Sequence, residues 1–209
     1  MAALLVRQEL AALESEVALC ERCFGPERRA AVRFSRPAGE PRVLVLGERP
    51  PRSLLTRGER LGPDNPEETM RFLRELLTEA NLRTDNVLVG MAAMCRPSSR
   101  ALEAAVPPAV CLRECSGHVR ELIRVAAPRL VVPLGRFALR SLRLALAEEP
   151  EATDLRFPES VGRPQRVGER WVWPMYHVTR RARVTRPADR QREDWQRLGG
   201  WWPPEAHRA

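Results

Sequence analysis

Between Trp171 and Arg186 the chain reads WVWPMYHVTRRARVTR. A short aromatic-rich run ends at Tyr176–His177 and passes straight into Arg180, Arg181, Arg183 and Arg186. An imidazole can give or take a proton near neutral pH, and guanidinium forks suit the oxygens of a polyanion. A second group of residues offers thiol chemistry. Cys20-x-x-Cys23 puts two sulfurs on one turn, and Cys95, Cys111 and Cys115 follow. Cys111 and Cys115 stand one helical turn apart, so either completes a four-thiolate set. Zinc and an iron–sulfur cluster both accept such donors.

The totals narrow the setting. A chain of 209 residues with 44% hydrophobic and 30% charged residues suits one soluble domain with a real core. The formal net charge is +8, and all 35 basic residues are arginine. That excess favours a nucleic-acid phosphate backbone through counterion release. No run approaches the ~18 apolar residues of a membrane span. The opening MAALLVRQELAALESEVALC carries Glu9, Glu14 and Glu16 inside its apolar pattern, as an amphipathic helix does and a signal peptide does not. The expected compartment is therefore the cytoplasm, where thiols bind metal more often than they form disulfides.

The elements that position these groups follow from periodicity. Leu4, Leu5, Leu10, Leu13 and Val17 predict a helix over residues 2–19. Arg42–Leu46, Asn86–Val89, Pro128–Gly135 and Arg170–Trp173 are short apolar runs of the kind that build buried parallel strands. Between them, helices are predicted from Pro66 to Ala80, about Ala109 to Val125, Arg136 to Ala147, and Pro187 to Leu198. Glu148–Asp154 reads as a solvated loop. Trp171 and Trp173 share a strand face and read as core. Strands alternating with helices predict an open parallel sheet covered on both faces, with ligands outside the strands' carboxyl ends. That rule gathers Gly47–Pro51, Gly90–Arg100, Gly135 and Tyr176–Arg186 at one edge.

With these residues placed, the chain resembles the uracil-DNA glycosylase superfamily, in particular a divergent member of its bacterial iron–sulfur (family 4-like) branch. The resemblance runs from about Leu10 to Leu198. It rests on CERC, VLVLGERPP, CRP, C-x12-P-RLVVPLGRFAL and WVWPMYH in that order. It implies a single α/β domain over residues 1–209, with its core at about 10–198 and a C-terminal tail at 199–209. The implied architecture is a three-layer α/β/α fold with a four-stranded parallel sheet. It further implies a [4Fe-4S] cluster on Cys20, Cys23, Cys95 and Cys115, with zinc as the alternative metal and Cys111 as the alternative ligand.

The reaction implied is hydrolysis of the N-glycosidic bond of a deaminated base, uracil or a related lesion, flipped out of DNA. His177 matches the motif histidine that donates to the departing base, and Glu48 matches the acid that places water. Gly47, Leu61, Met91 and Ser98 fall where the family shapes its base pocket. Leu61 replaces a stacking phenylalanine, and Met91 and Ser98 stand where base-facing asparagines are expected. Arg180, Arg181, Arg183 and Arg186 follow the histidine as a DNA-binding loop. The partners implied are single- or double-stranded DNA carrying a damaged base and no membrane, for a monomer that is cytoplasmic and nucleoid-associated. The alternative reading is a catalytically weak or inactive lesion-binding protein on the same scaffold. A zinc-stabilised α/β hydrolase unrelated to DNA is the more distant rival.

Overall fold

The computed structural model describes residues 2–25, 29–106 and 108–202; most of the expected tail lies outside them. Helix α1 (Ala2–Leu19) buries Leu10, Leu13 and Val17, while Leu4 and Leu5 are 61% and 57% exposed. The apolar stripe runs instead through the part-buried Val6, which stands four residues before Leu10 and so shares its face. Strand β1 (Arg29–Ala31) follows, and then β2 (Val43–Gly47), buried along its whole length. After the short helix α2 (Arg52–Thr56) comes α3 (Glu68–Glu79), capped by Glu67, whose carboxylate accepts from the backbone N–H groups of Thr69 and Met70. That acceptor satisfies two donors left open at a helix start.

Strand β3 (Val87–Met91) leads through a turn to β4 (Cys95–Pro97), and α4 (Arg100–Ala105) and α5 (Pro108–Ala126) follow. Strand β5 (Leu130–Pro133) feeds α6 (Gly135–Ala145). The expected loop at Glu148–Asp154 is in part a 3-10 turn, Pro150–Asp154, that buries Ala152. Strands β6 (Gln165–Val167) and β7 (Arg170–Val172) form a hairpin, and α7 (Ala188–Trp201) closes the fold.

The main sheet has five strands in the order β3-β2-β5-β7-β6. Strands β3, β2, β5 and β7 are parallel, as the four apolar runs predict. The fifth, β6, is antiparallel at the edge. Its run of three residues is too short and too polar to announce itself, and it forms by hairpin return onto β7. A second, two-stranded sheet pairs β1 with β4, two runs of three residues that carry no strand pattern of their own. Helices flank the main sheet, α5 packing on α6 and α1, and α3 packing on α7, which makes the three-layer α/β/α arrangement. Gly90 explains one close approach. A Cβ there would lie 2.4 Å from Leu122 Cδ2, so only glycine lets α5 settle on β3.

The chain order crosses over between β3 and β5, which lie on opposite sides of β2. Such a switch point opens a crevice at the strands' carboxyl ends. Trp201 closes the far side of β7: its ring lies 5.0 Å from both Trp171 and Trp173, and Trp173 is buried. Within the C-terminal tail, Trp201 and the buried Trp202 therefore pack on the domain.

Candidate active site

A cleft of about 730 Å³ opens at that crevice, lined by Glu48, Arg49, Arg96, Arg136, His177 and Arg181 among others. Glu48 and Arg49 directly follow β2, Arg136 lies in the first turn of α6 after β5, and His177 follows β7. Each is delivered by the end of a different parallel strand. Their side chains set one carboxylate against four guanidinium groups; Arg49 and Arg96 are paired with Glu103 beside the cleft, and Arg136 and Arg181 leave a field suited to an anion.

His177 is held by the pairing that β5 continues beyond its last residue. Leu134 bridges to Met175, and the Gly135 N–H donates to the Met175 carbonyl at 2.7 Å. Gly135 has φ +83, and a Cβ there would come within 3.4 Å of His177 Cβ, so glycine allows both the turn and the imidazole's seat. The ring is half-buried, and loss of solvent lowers its pKa to about 4. Its Nδ1 accepts the Thr179 backbone N–H at 3.2 Å. A neutral imidazole that accepts at Nδ1 carries its proton on Nε2. His177 therefore has one hydrogen-bond donor left, and it belongs to a side chain lining the cleft.

Glu48 is seated by the same edge: its carbonyl accepts the Ala93 N–H at 2.9 Å, and the Gly47 carbonyl accepts from Ala92 at 2.8 Å. Burial raises its carboxyl pKa above the ordinary value, against the opposing pull of Arg49, Arg96, Arg136 and Arg181. A carboxylate so placed is a stronger base than one in water.

The four arginines after the histidine meet different fates. Arg183 packs its guanidinium 4.1 Å from the centre of the Phe72 ring and pairs with Glu68 at 3.3 Å. Arg186 makes a two-pronged pair with the buried Asp194, at 2.9 and 2.6 Å. Both clamp the loop to α3 and α7. Gln191 on α7 ties its two ends, donating to the His177 and Arg186 carbonyls at 3.3 and 2.9 Å. Arg181 faces the cleft, and Arg180 is exposed beside it; neither has a carboxylate partner among the described residues. On α6, Arg136, Arg140 and Arg143 line an adjoining cavity and are likewise without one.

The expected base-pocket residues are scattered. Gly47 and Met91 lie together, with the Met91 sulfur where a Cβ on Gly47 would come within 2.7 Å, and Met91 is buried. Leu61 is buried in the main core, its N–H donating to the Arg33 carbonyl, and it borders a separate cavity beside Thr84 and Val87. Ser98 is exposed on the approach to α4. The structure does not bring Leu61 or Ser98 into the cleft with His177. It supplies Arg49, Arg96, Arg136 and Thr179, which the sequence reading did not single out. Arg49, Arg96 and Thr179 lie within the strand-end segments that the carboxyl-edge rule gathers, and Arg136 directly follows Gly135. For Gln191, in the first turn of α7, no local signal exists.

Four of the cysteines collect beneath α4. Cys95 and Cys111 share a small apolar cluster with Phe24 and Ala93, and Cys23 packs against it. Contact with Cys111 and Cys115 raises the Cys23 thiol pKa, while the same contacts lower those of Cys111 and Cys115. Cys20 is half-buried just beyond α1. The donor chemistry is that of a thiolate site. Among the described residues, no group of three or more His, Cys, Asp or Glu side chains already stands in metal-holding geometry. No helix among them is long and apolar enough to cross a membrane.

A family model described as the uracil DNA glycosylase superfamily matches residues 34–199. No curated protein matches the chain. The matched span holds the whole main sheet, Glu48 and His177, and leaves Cys20 and Cys23 before its start. By this match over most of its length, the chain belongs to the uracil DNA glycosylase superfamily.

Proposed function

We propose that this protein is a DNA-repair glycosylase that hydrolyses the N-glycosidic bond of a deaminated base flipped out of DNA. The observation that carries the reading is the neutral His177, its Nδ1 occupied by Thr179 and its Nε2–H available in an arginine-lined cleft. Breaking the bond leaves positive charge on the sugar and negative charge on the base. The Nε2–H of His177 donates to the base oxygen where that negative charge develops. Glu48 orients a water toward the sugar carbon, takes its proton as the new carbon–oxygen bond forms, and opposes the sugar's positive charge. Arg180 and Arg181 hold flanking phosphates, while Arg183 and Arg186 keep their loop in place. Gly47 and Met91 shape the floor between Glu48 and the sheet.

For the thiols, the family pattern of Cys20, Cys23, Cys95 and Cys115 is proposed to hold a [4Fe-4S] cluster, with zinc as the alternative. Cys23 touches both Cys111 and Cys115, so Cys111 is the competing fourth ligand. When bound, the cluster would tie the turn after α1 to β4 and α5 beside the cleft, a structural task. An anaerobic preparation is expected to be brown, absorb visible blue light and release iron and acid-labile sulfide. A colourless protein with stoichiometric zinc overturns the cluster assignment.

A second reading is a lesion-binding protein without turnover. The placement of Leu61 in the core and of Ser98 on the surface favours it, because neither can read a base beside His177. Losing paired donors and acceptors removes the discrimination a base pocket needs. The two readings separate on oligonucleotides carrying uracil, hypoxanthine or xanthine, in single and double strands. The enzyme reading expects an alkali-labile break at one of these lesions. Salt-sensitive binding with no break at any of them leaves only the binding protein.

A further inference from the structure

Next to the cleft, three guanidinium groups converge on a single carboxylate. Arg49, just after β2, donates to Glu103 Oε1 at 2.7 Å. Arg96 in β4 reaches the same oxygen, and Arg52 in α2 reaches Oε2. Two of the arginines are also fixed by backbone carbonyls: Arg96 Nε donates to Pro50 at 2.6 Å, and Arg52 donates to Pro97 and Ser99, both at 3.3 Å. The cradle thus has support beyond the carboxylate it holds. One negative charge faces three positive ones in a half-sheltered setting, with side chains 11%, 31% and 22% exposed for Arg49, Arg52 and Arg96.

The carboxylate comes from a lightly seated element. Helix α4 spans six residues, none of them buried, and is capped by Ser99. A phosphodiester presents two unbridged oxygens and one charge, as a carboxylate does, and arginine forks accept either. Arg49 and Arg96 line the His177 cleft as well as the cavity around Glu103. An anion bound in place of Glu103 would therefore lie one residue's reach from the proposed base site.

We propose that Arg49, Arg52 and Arg96 form a phosphate subsite, and that Glu103 is its internal occupant, displaced when a phosphodiester of the bound strand arrives. The identity of that phosphodiester rests on the DNA reading above; the phosphate chemistry does not. Glu103 would then hold the arginines together in the free protein and set a threshold against weak anions. On DNA binding, α4 would give way as the strand's phosphate takes over its contacts.

The test uses Glu103→Gln and Arg52→Gln in the full chain, with a fluorescent single-stranded oligonucleotide titrated at several salt concentrations and inorganic phosphate titrated separately. Glu103→Gln is expected to bind the oligonucleotide about 3–10-fold more tightly at low salt, with log K against log salt steeper by roughly 0.7. Arg52→Gln is expected to bind more weakly by a similar factor with a shallower slope. Thermal melts check that each variant is folded; if Glu103→Gln is not, the Arg52→Gln slope decides alone. Wild-type binding whose strength and slope neither change alters overturns the subsite and leaves the DNA reading standing. A Glu103→Gln gain for inorganic phosphate, with no oligonucleotide bound by any form, keeps the subsite and overturns the DNA reading. No binding of either ligand by any form overturns both.

Discussion

Replacing His177 with alanine is expected to slow base release by about 10²–10⁴-fold in single-turnover assays while leaving oligonucleotide binding within a few-fold. The size follows from what the ring supplies: a fixed donor where charge appears only as the bond breaks, so its loss falls on the chemical step. The pH profile separates this role from general packing. Burial holds the imidazole pKa at about 4, below its ordinary 6.5, so the ring is neutral throughout the usual assay range. Cleavage should show no titration of this residue near pH 6.5; the first loss on the acid side belongs to Glu48, whose carboxyl pKa burial raises, and His177 protonates only as pH approaches 4. Below that value Nδ1 takes a proton and can no longer accept from Thr179, which frees the ring from its orientation.

The same shift has a consequence for stability, with a fixed sign. The folded pKa lies below the unfolded one, so the unfolded chain takes up a proton first as pH falls from 6.5 toward 4. This contribution to stability is complete above about pH 6.5 and declines through that window. His177→Ala should flatten that part of a melting-temperature profile. An alanine variant with unchanged turnover would remove His177 from the chemistry.

Asp194→Ala is expected to be the most damaging single change outside the hydrophobic core. The carboxylate is 3% exposed and receives both prongs of Arg186, together with Arg197. Removing it leaves the Arg186 guanidinium half-sheltered and unpaired, a loss of about 2–4 kcal/mol once partial exposure is allowed for. For a domain of this size that is a melting shift of roughly 5–12 °C. Function should suffer as well, because Arg186 anchors the end of the segment that begins at His177. Asp194→Asn, which keeps the shape without the charge, should recover part of the stability; full recovery would show that packing, not pairing, holds the loop. Glu68→Ala, which removes the exposed partner of Arg183, should cost far less, since the cation still rests on Phe72.

The arginine run shows where local reading stops. Four cations in seven residues read as one basic surface, yet Arg183 finds Glu68 at a separation of 115 residues, and Arg186 turns back on Asp194 in the next helix. Nothing in the spacing of the run announces either partner. The Arg49–Arg52–Arg96 cradle is of the same kind: its members come from three elements, and only the return of β4 past the β2 turn makes them neighbours. Leu61 shows the converse. Linear correspondence put it in a base pocket, but the segment from Arg57 to Asn65 folds across Arg33–Ser35 and buries it elsewhere.

The resemblance implies Cys115 as the fourth ligand with Cys111 as the alternative; the two lie one turn apart on α5, and both reach Cys23 in space for that reason. By contrast, the four parallel strands were legible because their signal is local. Each is a short apolar run closed by glycine or proline, and burial on both faces permits little else. From those runs and the parallel-sheet rule alone, Glu48, Gly135 and His177 had to meet at one edge. The sequence by itself thus determined which strand-end turns meet at one edge of the sheet and which histidine stands among them. Only the tertiary structure decided that the histidine is neutral with its proton on Nε2, and which arginines are already paired. Desolvation and long-range pairing are properties of the packed whole, and no window of residues contains them.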